Sequence, residues 1–142
     1  MKTGFTLPEM AAALAILAIL AALALPRLAG WTDRRAVRQA ASEVASFYGR
    51  ARMAAVFSGR HVRVEFTADT LRARSREADD STFLSLPGPA RHGVALEASR
   101  EAIDVAPNGL GWGAANTKIL LWRGAASESL TTSRLGRLKR WP

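Results

Sequence analysis

GFTLPEMAAALAILAILAALAL, residues 4–25, is the stretch on which the reading of this chain turns. Glu9 is the single ionisable side chain between Lys2 and Arg27, and from Met10 to Leu25 every residue is Met, Ala, Leu or Ile. As a helix, residues 5–25 would measure about 31 Å, enough to cross a hydrocarbon core of roughly 30 Å. Three readings fit such a segment. It is a plain membrane anchor; or a secretory signal, with Lys2 as its charged start and Ala22-Leu23-Ala24 as a small-x-small cleavage pattern; or a span in which the acid has a use. The carboxylate works against the first two. A charge at the bilayer centre opposes insertion by roughly 2.5–3.5 kcal/mol, and by less near the interface.

Pro8 and Glu9 favour the third. In a continuous helix the proline ring would clash with the carbonyl of Gly4, so a helix from Met1 through Met10 is disfavoured and Gly4 is left extended and accessible. A cut of the Gly4–Phe5 bond makes Pro8 the fourth residue of the new chain, among the amides that have no partner within a helix. The same cut leaves Glu9 one helical turn from the new amine on Phe5. In a low-dielectric membrane the cationic amine and the anionic carboxylate neutralise each other, within one chain or between neighbours. Between neighbours, the pairing drives assembly and sets the axial register of stacked helices.

With these residues the chain resembles type IV prepilins and type II secretion pseudopilins: Gly4-Phe5-Thr6-Leu7-Pro8-Glu9 followed by about sixteen apolar residues. The resemblance implies cleavage after Gly4 by a membrane aspartic peptidase, N-methylation of Phe5 by that peptidase/methyltransferase, and an assembly role for Glu9. Pro8 departs from the family, which has an aliphatic residue before the glutamate. The resemblance also places the four-residue leader in the cytoplasm. The positive-inside rule alone favours the reverse, because Arg27, Arg34, Arg35 and Arg38 follow the span.

Beyond Pro26, expected to bend or interrupt the helix, apolar residues recur at three- and four-residue steps: Val37, Ala40, Ala41, Val44, Phe47, Tyr48, Ala51 and Ala55. Ser58-Gly59 is a stop signal. His61 to Phe66 then alternates strictly, and Leu71 to Arg76 pairs with it across a turn near Ala68-Asp69. Further strands are expected around 82–86, 94–96, 103–105, 118–122 and 128–132, with turns at Pro87-Gly88-Pro89, Pro107-Asn108-Gly109 and Arg123-Gly124. Gly109 to Gly113 reads as turn geometry, since no helix follows to make it a phosphate cradle. The expected fold is α+β and pilin-like: leader 1–4, transmembrane half-helix 5–28, amphipathic half-helix 29–58, and a β-rich head of antiparallel strands over 59–142.

Val105-Ala106-Pro107-Asn108-Gly109, Ile119-Leu120-Leu121-Trp122 and Leu135-Gly136-Arg137-Leu138 are similar in order to the GspH/FimT branch of minor pseudopilins. That resemblance implies a β-rich head closed by a terminal Gly-Arg strand.

The 142-residue chain allows one domain and a modest core. It has no cysteine, so no disulfide framework and no thiolate metal site. His61 and His92 lack an obvious carboxylate partner in sequence, Asp79-Asp80 reads as a solvated turn, and no metal-ligand spacing, Walker motif or nucleophile elbow occurs. No enzyme, cofactor or metal is expected. The net charge of +8 suggests anionic partners. Arg72, Arg74 and Arg76 share one face of a candidate strand. Arg134, Arg137, Lys139 and Arg140 crowd the C-terminus beside Trp141, which is able to stack on bases.

Two functions follow. In the first, the chain is a minor pseudopilin of a type II secretion system that initiates or caps the periplasmic pseudopilus. In the second, it is a minor pilin of a type IV pilus whose basic head binds DNA for uptake. Either way the resemblance implies a single-pass protein of the bacterial inner membrane with a periplasmic head. Its partners are the prepilin peptidase/methyltransferase, other major and minor pseudopilins or pilins, and membrane lipid, with DNA added in the second case.

Overall fold

The computed structural model describes residues 4, 6–77, 81–113 and 115–141, and for residues 24–29 the backbone alone. Asp79 and Asp80 lie outside the described residues. The chain divides into two compact units, residues 1–32 and 33–142.

One helix, α1 (Leu7–Ser58), runs through both units. The expected interruption at Pro26 does not occur, because the backbone stays helical through residues 24–29. A proline removes one N–H from the ladder at a local cost of about 3 kcal/mol. The helical turns on both sides are long enough to carry it. In the first unit the apolar side chains are distributed all round the helix, and Leu14, Ile16, Leu17, Ile19, Leu20 and Leu23 are all exposed. A helix apolar on every face needs an apolar surrounding that its own unit does not supply. The side chains described in this run end at Leu23, and among the described residues no helix is long and apolar enough to cross a membrane.

The second unit is built on the expected stripe. Val37, Ala40, Ala41, Val44, Phe47, Tyr48, Ala51 and Ala55 are all buried. They pack against two antiparallel sheets. The five-stranded sheet has the order β3 (Thr82–Pro87), β2 (Thr70–Ser75), β1 (Val62–Phe66), β5 (Ala102–Val105), β6 (Gly111–Trp112). The four-stranded sheet has the order β4 (Ala95–Ala98), β7 (Thr117–Arg123), β8 (Ala126–Thr132), β9 (Leu138–Trp141). Alternation sends Val62, Val64 and Phe66 of β1, Ile119 and Leu121 of β7, and Leu130 of β8 into the same core. A short 3-10 helix, Pro89–His92, leads into β4.

One difference from the sequence reading concerns a turn. Gly109 and Gly113 take the positive φ that turns demand, yet Gly111 and Trp112 between them form β6, held by pairing with Val105 and Asp104. At the end of α1, Gly59 turns left-handed at φ 65° and stops the helix where Ser58-Gly59 was expected to.

Candidate assembly site

At the N-terminus Thr6 stands just before the first helical residue, and Met10 N–H closes the first helical bond onto the Thr6 carbonyl at 3.1 Å. Glu9 is three residues on. Its Oε2 accepts from the Thr6 backbone N–H at 2.8 Å and from the Thr6 hydroxyl at 2.7 Å. This is the glutamate half of a capping box, in which an acid in the first turn satisfies the amide that precedes it. Pro8 fills the second helical position, where its missing N–H costs nothing. Gly4 is exposed outside the helix, with open space where a Cβ would be. Phe5, the expected new terminus and methylation site, lies outside the described residues, and with it the proposed amine partner of Glu9.

In the head, three of the six arginines that looked like patches, Arg74, Arg76 and Arg140, are engaged, while Arg72 is exposed on β2. Arg74 Nη2 donates to Glu65 Oε2 at 2.6 Å, and Arg76 Nη1 to Asp104 Oδ2 at 2.7 Å. Arg140 ties β9 to α1: its Nε donates to Glu128 Oε1 at 2.6 Å and its Nη1 to the Ser42 hydroxyl at 2.8 Å. Lys139, on the other face of β9, holds its ammonium 3.7 Å from the centre of the Trp141 ring. Trp141 Nε1 donates to the Thr131 hydroxyl at 3.2 Å. Arg134 and Arg137 are exposed in the turn before β9. The five residues expected to act together are thus split among a structural tie, a Lys–Trp pair and a turn.

His92 has the carboxylate that sequence spacing hid. Its Nε2 lies 2.9 Å from Glu43 Oε2, while Arg91 Nη2 lies 2.6 Å from Glu43 Oε1 and Gln39 donates to the same oxygen at 3.3 Å. Partial burial pushes the Glu43 carboxyl upward, but the hydrogen bonds from Arg91, His92 and Gln39 outweigh it and hold the group below the usual carboxylate range. His61 instead meets Trp112 edge-on, with ring centres 4.8 Å apart. Among the described residues no group of three or more His, Cys, Asp or Glu is placed to hold a metal ion.

Residues 1–25 match the family described as the prokaryotic N-terminal methylation motif. The chain carries a prepilin methylation motif. The chain is similar in fold to the type IV minor pilin FimU of Pseudomonas aeruginosa, with a TM-score of 0.65 and 17% identity over 77% of this chain and 90% of that one. It is also similar to the minor pseudopilin EpsH from the type 2 secretion system of Vibrio cholerae, with a TM-score of 0.54 and 15% identity over 72% of this chain and 95% of that one. No curated protein matches the chain. The long N-terminal helix with antiparallel sheets is therefore a pilin-like fold, as the sequence resemblance implied.

Sequence reasoning singled out Gly4 and Glu9 but missed that Thr6 is the residue Glu9 bonds. The signal was present: Thr-Leu-Pro-Glu has the spacing of a capping box ahead of an apolar run. For the Glu43–His92 pair no local signal exists, because the two are 49 residues apart.

Proposed function

We propose that the chain is a minor pseudopilin, a non-enzymatic subunit that helps initiate or cap a type II secretion pseudopilus. A peptidase removes residues 1–4, Phe5 is N-methylated, and residues 5–28 anchor the subunit once in the bacterial inner membrane. Residues 29–58 and the head over 59–142 stand in the periplasm and are drawn into the filament with other pseudopilins. The observation that carries this reading is the methylation motif placed directly before a helix apolar on every face, with Glu9 at its entrance. A carboxylate there opposes insertion unless a partner neutralises it, and a cationic terminus on a neighbouring chain is such a partner.

The second reading, a type IV pilus subunit that captures DNA, draws support from the fold likeness to FimU and from the net charge. It is weakened by the engagement of Arg74, Arg76 and Arg140 with carboxylates of the head. Deleting the gene separates the two. Secretion should fail, with substrates held in the periplasm, while surface pili and DNA uptake stay unchanged. Normal secretion with loss of pili or of uptake would overturn the pseudopilin reading.

A further inference from the structure

At one pole of the head the last two turns of α1 meet two loops. Arg52 Nε donates to the Gly109 carbonyl at 2.8 Å, and the Gly111 N–H donates to the Arg134 carbonyl at 2.8 Å. Around this junction the large side chains are apolar and uncovered. Phe57 is 82% exposed and Leu135 61%, and Met53, Val56 and Leu110 are exposed beside them. Heads that act alone rarely gather so many. The turn that carries Leu135 also carries Arg134 and Arg137, both exposed, and neither has a carboxylate partner among the described residues. Arg63, Arg74, Arg76, Arg91, Arg123 and Arg140 all have one. Two exposed cations without a carboxylate partner among the described residues therefore edge the apolar patch.

We infer that this pole docks the head of another filament subunit, through a protein surface with an apolar centre and carboxylates at its edge. The inference rests on the filament reading above. A nucleic-acid backbone would use the two arginines and leave the apolar side chains without a partner, whereas a protein surface uses both. Within the head, the pole lies at the Ser58 end of α1, about 38 Å along the helix from Asp33, where the chain enters this unit. A subunit seated there extends the row of heads along the helix direction. Phe57 and Leu135 are its apolar anchors, and Arg134 and Arg137 set its register.

The test places a photo-cross-linking residue at position 57 or 135 of the full chain in its own host. Position 83 on β3, where Phe83 is also exposed, serves as the control. Cross-linked products are identified by mass spectrometry. Positions 57 and 135 should capture a chain bearing its own prepilin methylation motif, at a segment containing Asp or Glu. The double change Arg134→Glu, Arg137→Glu should reduce that product about tenfold at equal protein level. Capture of lipid or DNA alone, no product, or equal capture from position 83 would overturn the proposal. The intact mass of the same samples separates the two failures. A chain that begins at methylated Phe5 but gives no product contradicts the docking surface and leaves the filament reading standing. A chain without that processing contradicts the filament reading itself.

Discussion

The Glu9 carboxylate is bonded to Thr6 of its own chain, taking the backbone N–H at 2.8 Å and the hydroxyl at 2.7 Å through one oxygen. Among the described residues both bonds go to Oε2. This local bond holds the acid at the start of the helix, and in the filament we propose, the same group is presented to the amine of a neighbour.

The two roles of Glu9 come apart in a pair of variants. Glu9→Gln keeps an oxygen able to accept from Thr6 and loses the charge, whereas Glu9→Ala loses both. Membrane insertion should be unchanged or improved in each, since a charge leaves the span. Filament incorporation, measured in sheared fractions, should fall for both variants alike. Normal incorporation of Glu9→Gln would mean that capping, worth about 1 kcal/mol, is the whole contribution of this residue.

Gly136 and Gly49 should respond oppositely to alanine. Gly136 sits at φ 70°, and a Cβ there would lie 2.3 Å from the Gly109 carbonyl oxygen. Gly136→Ala should cost about 2 kcal/mol or more through strain and displacement of that turn. Gly49 lies within α1, with nothing within 4 Å of an added Cβ, so Gly49→Ala should stabilise by about 0.5–1 kcal/mol. Thermal unfolding of the detergent-solubilised chain, followed by circular dichroism, reads both. A neutral Gly136→Ala would contradict the packing described at that pole.

Arg140 and Arg137, three positions apart, should respond differently to alanine. Arg140 is partly exposed, but Glu128, which it bonds, has a side chain only 9% exposed. Arg140→Ala strands that carboxylate and cuts the tie to Ser42, at a cost of about 1–2 kcal/mol after allowing for solvent screening. Arg137→Ala should change stability by less than about 0.5 kcal/mol. Denaturant titration distinguishes them, and equal effects would mean that the Arg140 contacts contribute nothing.

How much of this was legible in sequence depended on range. The buried face from Val37 to Ala55 and the alternation of Val62, Val64 and Phe66 were readable because periodicity is local. β6 was not, since two residues carry no period and its existence depends on pairing with β5. Arg74 and Arg76 looked like a free cationic face because the carboxylates that meet them, Glu65 and Asp104, lie on β1 and β5. Only the strand order brings these together. Arg140 misled for the same reason, its partners being on β8 and α1.

The Glu43 cluster gives the head a pH dependence with a definite sign. Because the folded state holds the Glu43 carboxyl below its ordinary value of 4.5, the unfolded chain takes up the proton first as pH falls. The stabilisation from Glu43 is therefore complete above about pH 4.5 and is lost as the pH drops through the lowered folded value. Glu43→Gln should flatten the fall in melting temperature below that pH. An unchanged profile would show that Arg91 and His92 do not bind the carboxylate more tightly than water does.

The central claim is that this chain is matured as a prepilin, and the intact mass of the membrane-extracted protein tests it most directly. The account predicts a chain that begins at Phe5 and carries one added methyl group. A chain that begins at Met1, or at Leu25 after signal-peptidase cleavage, would contradict it.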